Sequence, residues 1–182
     1  MPRAITPNQT VGPYFQIGLA HLYVQDVAGA GARFGIRGRV LDGDGKPVND
    51  ALVEIWQADA QGRYAPTLGE RGKSVRGFGR VATDAAGAFQ FTTTKPGRVP
   101  GPGGVMQAPH LAIAVFMRGL LKHLVTRVYF PDEQSNLQDP ILNLVPTERR
   151  RTLVAKKIGT DESALEWNVI LQGQDETVFF DY

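Results

Sequence analysis

Residues Gly35–Asp59 read GIRGRVLDGDGKPVNDALVEIWQAD. Two β-rich runs, IRGRVL and ALVEIWQA, flank a turn stretch that contains Asp-Gly twice, which predicts a hairpin. Gly79–Gly97, GRVATDAAGAFQFTTTKPG, repeats the logic. One run ends at Ala82, a turn passes through Asp84 to Gly87, and AFQFTTT alternates apolar and polar residues. Further along, HLAIAVF (from His110) and HLVTRVYF (from His123) read as two more strands joined by MRGLLK. Between these regions, Arg98–Pro109 carries three prolines and three glycines and is not expected to form a regular element. PDEQSNLQDPILNLV reads as a loop with room for a helical turn. PTERRRTLVAKKIG holds one short helix with Thr147 as its cap. LEWNVILQG and ETVFFDY close the chain as strands. About eight short strands with little helix predict an all-β fold, a β-sandwich, with an up-and-down barrel as the alternative. Residues 1–182 form one domain in this reading. The arm to about Tyr23 lacks either period and is expected to lie along another surface rather than form an element.

Composition narrows the function classes. The chain has 182 residues, 20 Lys+Arg against 18 Asp+Glu, and no cysteine. A net charge of +2 argues against nucleic acid as a general partner, and the ERRR cluster (Glu148–Arg151) reads as a solvated face. Without cysteine there is no disulfide, zinc–thiolate site or thiol nucleophile, and a cytoplasmic setting is expected. No apolar run reaches membrane-spanning length, and the N-terminus has no signal-peptide pattern, so no membrane association is expected.

The residues alone offer no self-sufficient catalytic set. Three histidines, His21, His110 and His123, lack a ligand two positions on, because Ala112 follows His110 and Val125 follows His123. Ser74, Ser135 and Ser163 sit outside any nucleophile elbow. Glu54, inside an apolar strand, requires a partner if buried, and Asp59 is placed to cap a turn. Arg118 follows the apolar run Ala108–Phe116 and precedes Gly119, where the chain turns. There its planar fork can meet a carboxylate, although a plain surface arginine fits as well.

Several stretches together carry a resemblance. TPNQTVGPYFQIGLA, GRVLDGDGKPVNDALVEIWQADAQGRY, TTTKPG, APHLAIAVFMRG, TRVYFPDE and QGQDETVFFDY resemble the intradiol ring-cleaving dioxygenases. More narrowly, they are similar to the α chains of the αβ enzymes that open protocatechuate (3,4-dihydroxybenzoate) with O2. The resemblance implies a β-sandwich and a partner β chain that holds Fe(III) through two tyrosines and a His-x-His strand. At the matching positions this chain has His110 first and Ala112 second. No tyrosine lies in the loop after Tyr64, and Arg98 and Val99 follow KPG where the second tyrosine is expected. One neutral imidazole cannot hold a hard ferric ion, so His110 marks a vacated metal position and this chain binds no iron by itself. The resemblance further implies that Thr10, Gly12, Pro13 and Tyr14 line the partner's substrate pocket and that Arg118 approaches the substrate carboxylate. A stand-alone β-sandwich binding protein with this fold and no catalysis is the competing reading. A homomeric dioxygenase for another catechol is the third, disfavoured by the missing tyrosines.

Overall fold

A computed structural model describes residues 5–65 and 77–181. Its eleven strands among these residues are β1 (Arg33–Leu41), β2 (Leu52–Trp56), β3 (Phe78–Ala82), β4 (Ala88–Thr94), β5 (Val99–Pro100), β6 (Met106–Gln107), β7 (His110–Phe116), β8 (Leu124–Tyr129), β9 (Lys156–Ile158), β10 (Asp161–Glu166) and β11 (Val169–Ile170). One sheet is antiparallel, in the order β3-β2-β7-β8. The other centres on β1, which pairs with β4 along one edge and with β10 and β11, both parallel to it, along the other. Alternation places Ile36 and Val40 of β1, Val53 and Ile55 of β2, Phe89 and Phe91 of β4, and Leu111, Ile113 and Val115 of β7 in one shared core between the sheets. The β-sandwich expected from the sequence is the fold observed.

Both predicted hairpins are corrected. β1 and β2 lie in different sheets, and so do β3 and β4. The local turns are real: Asp42 N–H donates to Lys46 O at 2.9 Å, and Asp84 N–H to Ala88 O at 2.9 Å. The first turn closes only the Leu41–Pro47 bridge before the chain crosses to the second sheet at Asn49–Asp50. Both edges of β1 are already taken by β4, β10 and β11, so β2 has no edge of β1 to join. The β7–β8 hairpin does form, in a register from His110↔Tyr129 to Val115↔Leu124.

LEWNVILQG splits at Trp167–Asn168. Trp167 N–H donates to Arg37 O and Asn168 Oδ1 accepts from Arg39 N–H at 2.8 Å, so β1 changes partner from β10 to β11 there. A Cβ on Gly38 would stand 1.8 Å from Trp167 O, so only glycine permits that approach. Residues 176–181 of the closing stretch ETVFFDY form no strand; they contribute one bridge, Val125↔Phe180. Pro146 rather than Thr147 precedes the 3-10 turn Thr147–Thr152, and no side chain caps it. In the Pro/Gly-rich stretch, β5 and β6 pair as a two-residue ribbon. The arm also departs from expectation: α1 (Tyr14–Gly18) and a 3-10 turn (Ala20–Leu22) form within it. Neither buries a residue, which is why no amphipathic period announced them.

Candidate functional site

β7 carries a distinct group of polar residues at each end. Its core-facing residues alternate with His110, Ala112, Ala114 and Phe116 on the outer face. The two ends are separated by roughly 20 Å of strand at about 3.3 Å per residue, so the fold does not bring His110 together with Thr10 and Arg118.

At the head of β7, His110 is buried and its Nδ1 lies 2.8 Å from Ala108 O, which identifies Nδ1 as the protonated nitrogen. Burial, and next the Arg127 guanidinium, push its pKa down to about 4, so the ring is neutral at physiological pH. It packs on Tyr129 with ring centroids 5.6 Å apart. Tyr129 donates to Asp139 Oδ1 at 3.2 Å, and burial followed by the Asp139 charge raises its pKa, so it stays a phenol. Asp139 is fully buried and accepts from the N–H groups of Ala108 (2.7 Å), Ile141 (2.9 Å) and Leu142 (2.7 Å). Ala112 pairs across the ladder with Arg127, whose Nη1 donates to Gln107 Oε1 at 2.6 Å.

This end does not fit a ferric ion. Its one imidazole is flanked by a fixed cation, its phenol cannot readily ionise, and its carboxylate is committed to four donors. Val99 is buried in the β5–β6 ribbon and Arg98 donates to Met106 O at 2.9 Å, so the second tyrosine position supplies no oxygen donor. The first tyrosine position, in the loop after Tyr64, and Ser74 lie outside the described residues. Among the described residues no three His, Asp or Glu side chains gather as a metal set.

At the far end, Arg118 occupies a turn in which Gly119 has φ +91°, a conformation suited to glycine. Thr10 Oγ1 accepts a hydrogen bond from Gly119 N–H at 2.7 Å, which fastens the arm beside Arg118. Phe15 packs on Phe116 at 5.5 Å and Gln16 Nε2 donates to Thr83 O at 3.2 Å, while Tyr14 stays largely exposed. Gly12 and Pro13 are exposed just before α1, and a Cβ on Gly12 would meet nothing within 4 Å, so this chain's own packing does not demand a glycine there. Arg118 is 62% exposed and its Nε lies 3.0 Å from Asp50 Oδ2. Between the arm and the β7–β8 turn runs a groove of about 400 Å³ lined by Val11, Phe116, Leu120, Leu121, His123 and Phe180.

Apart from His21, which is exposed, the remaining candidates among the described residues have structural partners. His123 stacks on Phe116 at 5.0 Å and His21 sits in the 3-10 turn of the arm. Ser135 and Ser163 bond Glu133 and Asp161. Glu54 Oε1 accepts from Arg80 at 2.8 and 2.5 Å, the partner its strand position required. Asp59 caps its turn by accepting from Gln61 N–H and Arg63 N–H, both at 2.9 Å. Arg149 and Arg151 face Glu176 and Asp175. The sequence reading missed Asp139 and Asp50. Asp139-Pro140 carried a turn signal, whereas Asp50 was visible only through the β2–β7 register.

Comparisons with known proteins agree on one family. The family profile described as "Dioxygenase" matches residues 12–173. The chain is 44% identical over 194 residues to the protocatechuate 3,4-dioxygenase alpha chain of Burkholderia cepacia, covering 97% of this chain and 96% of the relative. It is 35% identical over 158 residues to the beta chain from the same organism, covering 81% of this chain and 67% of the relative. Among solved structures, the dioxygenase domain of a carbohydrate-binding fusion protein from Streptomyces sp. SirexAA-E superposes with a TM-score of 0.65 at 22% identity, over 86% of this chain and 89% of that one. That match speaks to the fold alone.

Proposed function

The chain belongs to the intradiol dioxygenase family, and from that premise we propose that it is the iron-free α chain of a protocatechuate 3,4-dioxygenase. In this reading a β chain holds Fe(III), and the pair converts 3,4-dihydroxybenzoate and O2 to 3-carboxy-cis,cis-muconate. The work of this chain is geometric and electrostatic. Gly12 and Pro13 bring backbone close to a flat ring, Tyr14 adds an exposed phenol, and the Arg118 guanidinium meets the substrate carboxylate. Thr10 ties those arm residues to the Arg118 turn. The cysteine-free sequence suits a cytoplasmic enzyme.

The observation that carries the reading is the Thr10–Gly119 hydrogen bond, which sets the arm and Arg118 side by side at an open edge. Mixing this chain with its β chain is expected to give iron-dependent turnover of protocatechuate that neither chain gives alone. Stoichiometric ferric iron with a phenolate-to-iron colour in this chain by itself would overturn the reading. In the assembled enzyme Arg118→Ala is expected to weaken binding of protocatechuate far more than binding of catechol, which lacks the carboxylate. Equal losses would remove Arg118 from the substrate.

A further inference from the structure

We infer that Asp50 is a positioning residue for Arg118: it holds the guanidinium at Nε and so aims the two terminal nitrogens at the substrate carboxylate. The inference rests on the reading of Arg118 given above. It begins in the sheet register. β2 and β7 pair antiparallel, ending with Leu52 opposite Phe116. Continuing that register two residues beyond the ladder sets Asp50 opposite Arg118. The pairing is therefore dictated by the sheet itself, and opposite charges placed this way attract across the strands.

The pair is asymmetric. The Asp50 side chain is 11% exposed and that of Arg118 62% exposed. The covered member is the anchor, and the exposed member has a free end to present. Asp50 Oδ2 makes no aligned hydrogen bond, although Arg118 Nε stands 3.0 Å away, so the cation is its compensating charge. Contact at Nε leaves the terminal nitrogens for a second carboxylate, which the fork geometry of arginine accommodates.

The backbone on both sides is fixed. Ala51 N–H donates to Thr83 Oγ1 at 3.0 Å, Thr83 N–H returns to Ala51 O at 2.9 Å, and Gln16 Nε2 of the arm donates to Thr83 O at 3.2 Å. Across from it, Thr10 Oγ1 accepts from Gly119 N–H. The arm thus fastens the Asp50 turn through Gln16 and the Arg118 turn through Thr10. Thr10 accordingly acts through this bond rather than by touching substrate.

The test uses the assembled αβ enzyme with KM and kcat read for protocatechuate and for catechol. Asp50→Asn keeps the shape and removes the charge. It is expected to raise KM for protocatechuate about tenfold, the effect of one charge-assisted contact, with KM for catechol and kcat unmoved. The double variant Asp50→Asn/Arg118→Ala is expected to be no worse than Arg118→Ala, because both changes remove one interaction. Thr10→Val, isosteric and at the surface, frees the arm and the Arg118 turn together and is expected to raise KM for both substrates, for protocatechuate about threefold more than for catechol. Equal losses on both substrates in Asp50→Asn, additive losses in the double variant, or unchanged KM for protocatechuate in assembled Asp50→Asn enzyme would each overturn the inference. Selective loss in Arg118→Ala with none in Asp50→Asn overturns this inference alone. Equal losses in Arg118→Ala remove the assignment of Arg118 to the substrate carboxylate as well, on which this inference rests.

Discussion

The two ends of β7 use charge in opposite ways. At His110 every polar group is buried and turned inward: Asp139 accepts four hydrogen bonds, Tyr129 is spent on Asp139, and the imidazole is held neutral. At Arg118 one charge is buried and the other faces solvent. The first arrangement closes a site and the second leaves one open. Under the proposed function, the position that the resemblance assigns to metal serves as structural support, and the residues proposed to meet substrate lie at the edge where the arm is fastened.

The largest expected effect lies at the closed end. Asp139→Ala would strand the buried N–H groups of Ala108 and Leu142. We expect a loss of about 4 kcal/mol of folding stability, the range for orphaning several buried donors at once. Urea unfolding of the isolated chain measures it. A loss under about 1 kcal/mol would show that this end is not the closed network described.

His110 sharpens the same contrast through pH. Its folded pKa of about 4 lies below the ordinary value of 6.5, because burial and then Arg127 disfavour its charged form. The unfolded chain therefore takes up the proton first as pH falls. Stability from this residue is complete above pH 6.5 and drains between about 6.5 and 4, by about 3 kcal/mol in total. His110→Asn keeps a donor for Ala108 O and cannot titrate. Unfolding at pH 7.5 and pH 4.5 is expected to show the wild type losing about 2 kcal/mol more than this variant over that interval. Parallel losses in the two proteins would mean that the ring is protonated in the folded state.

At the open end the effect moves from stability to affinity. Arg118→Ala is expected to lower the folding stability of the chain by only about 1 kcal/mol, the low end for leaving a covered carboxylate without its cation, because trimming the arginine opens Asp50 to water. In the assembled enzyme it is expected to weaken protocatechuate binding about thirtyfold, about 2 kcal/mol, with catechol binding unchanged. A large stability loss in this variant would erase the distinction between the two ends.

How much of this was legible beforehand depended on distance along the chain. β7 and β8 pair with each other, so a local pattern sufficed. β1 was recognisable as a strand from its alternation, yet its partners β10 and β11 come from the far end of the sequence. An Asp-Gly turn looks the same whether it closes a hairpin or leads a crossover, and that is why both hairpins were misread. Glu54 and Asp59 behaved as their positions required because their partners are a cross-strand neighbour and the local backbone. Asp139 did not reveal its role, since one of its donors, Ala108 N–H, reaches it from 31 positions away in sequence. The arm's short helix escaped because a turn that buries nothing leaves no hydrophobic period.

The smallest expected effect concerns how the arm is held. Phe15 meets Phe116 at 5.5 Å in a tilted pair, and such pairs contribute about 0.5–1.5 kcal/mol beyond the area they bury. α1 buries no residue, so the arm docks as a local unit and not as part of the core. Phe15→Ala should therefore lower global stability by no more than about 1 kcal/mol. Its functional signature should differ from that of Arg118→Ala. Loosening the arm displaces Gly12, Pro13 and Tyr14 together, the residues that the proposed function sets against the ring rather than its carboxylate. Protocatechuate and catechol should then lose affinity equally, by about threefold each. Loss confined to protocatechuate would mean that Phe15 acts through Arg118, and the arm would have to be reassigned from lining the ring to orienting the cation.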